Sequence, residues 1–326
     1  MSVFVRRLGE ISAASAAENP WWNDLLRLWR PSGTDTGSHG LRLAVRDGYL
    51  NFYRLGQSIA KVEVGRKGAL RASVHTKYVT EPGKAGFGEG YARLQGRDFY
   101  LKGSPQPWQA YEGPEQLIEA TRRVNGAGDH KGYAGVEKRF VDQLVAANAG
   151  VIDLEMALPA WGEQKTAPRM DIVALEQTVA GAQVVFWEAK LVGDSRIRCA
   201  AGRAKTDEVP EVLAQLARYR MFLRQSEHQS LVTNAYGAAA RVLLRLRDLA
   251  AEVGNDVSLG EIIHQCAHAE VSVDPRPRLV VFKPDGFSAH PASEAAWKVH
   301  HATLTRENVP LQIIDHGQSL NLAPGQ

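Results

Sequence analysis

Cysteine is nearly absent: 326 residues contain only Cys199 and Cys266. Two thiols cannot build a disulfide framework or a four-cysteine metal cluster, and they suit a reducing compartment. A charge excess of one sign is also missing. Lys and Arg number 39 against 36 Asp and Glu, a formal +3, so a polyanion would have to be met by local concentration of positive charge. No apolar run reaches the length of a membrane span, and none following Arg6 and Arg7 suits a signal peptide. No internal repeat or low-complexity tract is visible. The expectation is a soluble, cytoplasmic protein with no membrane partner and room for two domains.

What is there falls into two parts. Residues 1–125 are expected to form a β-rich N-terminal domain that selects a target or regulates access. Asn19-Pro20 signals a short helix start, and Trp21, Trp22 and Trp29 around it read as core plugs rather than base-stacking residues. From Gly40 apolar Leu41, Leu43 and Val45 alternate with Arg42, Ala44 and Arg46, and Asp47-Gly48 then marks a hairpin. The basic residues of this sheet (Arg42, Arg46, Lys61, Arg66, Lys67, Arg71, Lys77) have two readings, a nucleic-acid backbone surface or a solvated face. Gly83, Gly86, Gly88 and Gly90 lack the GK[ST] ending of a phosphate loop. A helix over 114–125 is expected to stop at Asn125-Gly126-Ala127-Gly128, where the domain boundary is placed.

Residues 126–326 read as helix, three strands, helices, strand, helix, strand, a mixed α/β domain with a central sheet flanked by helices. The first helix is expected from Val136, with Glu137 in its first turn favouring the helix dipole. Strands follow at Val151–Leu158, Arg169–Glu176 and Gln183–Lys190, and the last two are expected to pair through a turn at Gly181. Asp171 then has to reach Glu188 by bending or stagger. Glu188 and Lys190, two apart, share one face of the strand while Ala189 points away. Two carboxylates beside a lysine suit a divalent metal acting on a phosphodiester. Asp153 and Glu155 on the preceding strand have two readings, contact with the site or, preferred, surface-facing acids. A helix over Pro210–Arg224 places Gln215 and Tyr219 one turn apart. Further helices are expected near 235–252, 258–269 and 292–304, with strands at 278–282 and 311–314. His264 and His268 with Cys266 between them form a weak zinc pattern without a third ligand.

Helix Glu137, strand Asp171, Glu188-Ala189-Lys190 and helical Gln215 with Tyr219 together resemble the PD-(D/E)XK nuclease superfamily, in its RecB-like branch. The resemblance covers about residues 130–225, with the strand near 278 as the next core element. It departs from the family at Met170, where proline is usual, and the insertion after Tyr219 has no counterpart. It implies a restriction-endonuclease-like core and a Mg²⁺- or Mn²⁺-dependent deoxyribonuclease, an endonuclease rather than an exonuclease, in prokaryotic defence, restriction or repair. Asp171, Glu188, the Ala189 carbonyl and Glu137 would hold the metal, Lys190 would orient the attacking water, and Gln215 and Tyr219 would position the site. Apart from the resemblance, the basic loop with Arg196, Arg198, Arg203 and Lys205 reads as a DNA-backbone contact or as a disordered loop. A homodimer or larger defence complex is compatible with that expectation. The alternatives are a non-catalytic nucleic-acid-binding or assembly module, and an RNase.

Overall fold

The computed structural model describes residues 4–80, 90–128, 133–159, 169–198, 210–287 and 291–322. The first described helices are α1 (Ala13–Glu18) and α2 (Pro20–Leu28). Pro20 occupies the first turn of α2, where a missing N–H costs nothing. Trp21, Trp22 and, just beyond the helix, Trp29 are buried, as the core reading expects.

An antiparallel meander follows. It comprises β1 (Arg42–Val45), β2 (Tyr49–Arg54), β3 (Gln57–Val64), β4 (Leu70–His75), the short α3 (Thr76–Val79), β5 (Tyr91–Gln95), β6 (Asp98–Tyr100) and β7 (Gln109–Ala110), with strands adjacent in chain order. Register lines up Leu50, Val62, Ala72, Leu94 and Phe99 as an inner row, all buried. The neighbouring row, Asn51, Lys61, Ser73, Arg93 and Tyr100, points the other way. Helix α4 (Pro114–Gly128) runs through Asn125–Gly128 instead of ending there. Burial of Leu117, Ala120 and Val124 anchors it, outweighing the roughly 1 kcal/mol that a helical glycine costs.

The second sheet is mixed. Its elements are α5 (Tyr133–Ala147), β8 (Val151–Ala157), β9 (Arg169–Thr178), β10 (Gly181–Leu191), α6 (Glu211–Leu223), α7 (Ser226–Glu252), α8 (Glu261–His268), β11 (Val271–Val273), β12 (Arg278–Lys283), α9 (Pro291–Arg306) and β13 (Leu311–Asp315). Strands lie in the order β13-β12-β10-β9-β8, with β11 also beside β10. The pairs β8–β9 and β9–β10 are antiparallel; β10–β12 and β12–β13 are parallel. Helix α5 covers one face, where Phe140 stacks on Phe282 with ring centroids 4.7 Å apart. Helices α6 and α7 cover the other, with Tyr219 and Tyr236 against Phe186 at 6.2 and 6.3 Å. The molecule is thus mixed α/β, as expected. Strand β11 is too short to carry a pattern in sequence, and α7 begins well before residue 235. Among the described residues no helix is long and apolar enough to cross a membrane.

Buried ion pairs join the two sheets. Arg6 Nε donates to Asp153 Oδ2 at 3.1 Å, Arg46 pairs with Asp153 Oδ1 and donates to the Leu154 carbonyl at 2.6 Å, and Arg42 Nε donates to Asp142 at 3.2 Å. Arg42 and Arg46 are therefore neither a nucleic-acid surface nor a solvated face. The second sheet and α5 cover them. Asp153, read as surface-facing, is 2% exposed and also accepts from the Tyr236 hydroxyl.

Candidate functional site

Strand β10 is buried on both faces from Val184 to Leu191, so Glu188 and Lys190 arrive at its end inside the protein, 2% and 1% exposed. Trp187 pairs with Ile172, the last pair of this ladder, so Glu188 and Asp171 are the next residues along their two strands. Where the ladder stops, the Asp171 side chain takes over the pairing: its Oδ2 accepts from the Ala189 N–H at 2.8 Å.

Three oxygens converge on the Lys190 ammonium. Nζ is in close contact with Glu188 Oε1, lies 2.8 Å from the Ala189 carbonyl oxygen, and is 3.5 Å from Asp171 Oδ2. These are three of the four donors that the resemblance assigns to a metal, and here a side-chain cation already sits among them. Burial works to discharge Lys190, but Asp171, Glu188 and Glu137 outweigh it and raise its pKa. Burial pushes the Glu188 carboxyl up, the Asp171 charge adds to this, and Lys190 opposes both. The second oxygen, Glu188 Oε2, is buried without a hydrogen-bond partner among the described residues.

Glu137 comes from α5. That helix starts at Tyr133, so Glu137 is in its second turn, and the first-turn dipole explanation no longer applies. The carboxyl is half-buried and pushed up to about 7, first by burial; Asp171 adds to the rise, and Lys190 and Arg196 oppose it. Arg196 Nη2 lies 3.5 Å from Glu137 Oε1 and 2.6 Å from Asp194 Oδ2. Arg196 is thus engaged at the acid cluster, whereas Arg198 is exposed; Arg203 and Lys205 lie outside the described residues. The Gly83–Gly88 glycines and Cys199 also lie outside them.

The α6 pair braces strands. Gln215 Nε2 donates to the Arg169 carbonyl at 2.8 Å, two residues before Asp171. Tyr219 is 1% exposed, and its hydroxyl donates to the Met156 carbonyl at 3.1 Å. Burial raises the pKa of this phenol far above the ordinary value.

No family model, curated protein or solved structure matches this chain.

One acid near the site takes the less favoured of its two readings, and another, Asp194, escaped the sequence reading. Glu155, expected at the surface, is half-buried, and its pKa is raised by burial and then by Asp171. It lies between Leu154 and Met156, which pair with Ile172 and Met170 on either side of Asp171. A φ of +49° at Glu155 breaks the alternation that would have grouped it with Asp153. Asp194 caps the turn Ser195–Ile197 by accepting from the Arg196 N–H; the Asp-x-Arg spacing was its only signal. Among the described residues no three His, Cys, Asp or Glu side chains close on one point, and this includes His264, Cys266 and His268. The Cys266 thiol is buried and pushed up to about 12.

Proposed function

We propose that this chain is a divalent-metal-dependent nuclease that hydrolyses DNA phosphodiester bonds, built on a core like that of the PD-(D/E)XK enzymes. One observation carries the reading. Two carboxylates and a backbone carbonyl converge on a cation at the end of a buried strand, and Glu188 Oε2 has no hydrogen-bond partner among the described residues. Hard oxygen donors of this kind suit Mg²⁺ or Mn²⁺. Asp171, Glu188 and the Ala189 carbonyl would hold the ion, and Glu137 would reach it through water. When bound, the metal lowers the pKa of its water and neutralises charge on the phosphate. Lys190, kept charged by its acidic neighbours, stabilises negative charge developing on the phosphate and orients the attacking water. Gln215 and Tyr219 act as positioning residues through Arg169 and Met156. Endonucleolytic cutting in defence, restriction or repair, alone or within a homodimer or larger complex, belongs to the same proposal.

One observation favours a second reading, a non-catalytic nucleic-acid-binding or assembly module. Lys190 and Arg196 already pair with the acids, Lys190 with Glu188 and Asp171 and Arg196 with Glu137 and Asp194. Incubating the purified chain with plasmid, linear and single-stranded DNA and with RNA separates the two, comparing Mg²⁺, Mn²⁺ and chelator. Cleavage that needs metal and falls about 10²-fold or more in Asp171→Asn and Lys190→Ala supports the nuclease. Cleavage that survives both substitutions overturns the site, and none by wild type favours the module. Cutting of RNA alone makes the chain a ribonuclease.

A further inference from the structure

Beside the acid cluster runs a cleft with a volume of about 990 Å³. Its floor is the outer face of the first sheet, where Tyr49 and Lys61 stand on β2 and β3 and Tyr91 opens β5. Its wall is the second sheet and α5, through Lys138, Glu155 and Arg169. Arg169 lies two residues before Asp171 on β9, and Lys138 follows Glu137 on α5, so the cleft runs up to the acid cluster.

Aromatic rings and cations alternate along this floor. The Lys61 ammonium lies 4.2 Å from the Tyr49 ring centroid, and the Lys77 ammonium 4.8 Å from that of Tyr78. The His75 ring lies 5.0 Å from Tyr91 and 5.9 Å from Tyr78. Tyr91 is 55% exposed, which leaves part of its ring open to a further stacking partner. Burial and the adjacent Lys77 lower the pKa of His75, so near neutral pH it offers a flat uncharged face. Flat rings interleaved with cations match the chemistry of a single strand, whose unstacked bases seek π-faces while its phosphates seek positive charge. A duplex keeps its bases stacked inside and would leave the rings unused.

We propose that this cleft binds a single strand of nucleic acid, with bases stacked on Tyr91 and His75 and phosphates held by Lys77, Lys138 and Arg169. The position of this strand next to the acid cluster rests on the nuclease reading; its binding does not.

The test is fluorescence anisotropy with labelled 12-nucleotide oligo-dT, oligo-rU and a duplex of equal length, in chelator so that no cleavage intervenes. The wild-type chain is expected to bind a single strand more tightly than the duplex, and the dT and rU arms show which sugar it accepts. Tyr91→Ala, which removes an exposed ring and leaves no cavity, is expected to weaken single-strand binding about tenfold. Lys77→Glu is expected to weaken it and flatten its salt dependence, whereas Arg66→Glu, an exposed charge outside the cleft, leaves it unchanged. Unchanged binding by Tyr91→Ala, preference for the duplex, or equal losses from Lys77→Glu and Arg66→Glu would each overturn the proposal. A chain that binds as described but never cuts removes the nuclease reading alone; one that cuts but fails these tests removes the cleft alone.

Discussion

Glu137 titrates where its neighbours make titration consequential. Its carboxyl, ordinarily near 4.5, is held at about 7 inside the fold. A raised folded pKa means that the native state holds its proton more tightly than the unfolded chain. The associated stability is therefore fully present below about 4.5 and lost as pH rises through about 7. Glu137→Gln removes that dependence. Relative to wild type without divalent metal, the variant is expected to gain melting temperature steadily between pH 5 and pH 8, as thermal unfolding would record. Parallel profiles for the two proteins would show that Glu137 does not carry the proton. Metal that binds these acids must displace protons, so affinity for Mg²⁺ or Mn²⁺ is expected to rise over the same window.

At the scale of elements, α6 holds β8 and β9 in register around the acids. Tyr219→Phe deletes one hydroxyl and leaves the Met156 carbonyl without that donor, which costs about 1–3 kcal/mol. Urea unfolding is expected to show that loss, while the metal dependence and pH profile of any cleavage stay put. A variant of full stability and no activity would instead place the phenol in the chemistry. The strand pair itself was legible in sequence because β10 is an unbroken apolar run ending in Glu188 and Lys190, and its alternation fixes which residues share a face. The register of Asp171 was not legible. It depends on the two residues, Val179 and Ala180, that join the paired Thr178 and Gly181, and on a carboxylate standing in for a backbone partner. The continuation of α4 through Asn125–Gly128 was hidden for another reason: tertiary burial overrode local propensity.

For the whole molecule, the decisive contacts are those between the sheets. Alternation marked Arg42 and Arg46 as lying off the inner face of the first sheet, but it carries no information about what covers that side. The cover is Asp142 and Asp153, about a hundred residues further along the chain. Asp153→Ala leaves Arg6 and Arg46 buried without their carboxylate, and removing one partner of such a cluster costs about 3–5 kcal/mol. Denaturant unfolding is expected to show that loss, and the wild-type chain to unfold in one transition, because the larger of two core clusters runs through both sheets. Two separate wild-type transitions would show that the sheets fold independently.

Lys190 has a consequence for how the molecule is made. Clustered acids usually repel one another until an ion arrives, so many such sites assemble only in its presence. Here the counterion is covalently attached to the strand that carries the acids, and it reaches two carboxylates and a carbonyl at once. The chain is therefore expected to reach its native fold in chelator as fully as in Mg²⁺, which circular dichroism of refolded protein would record.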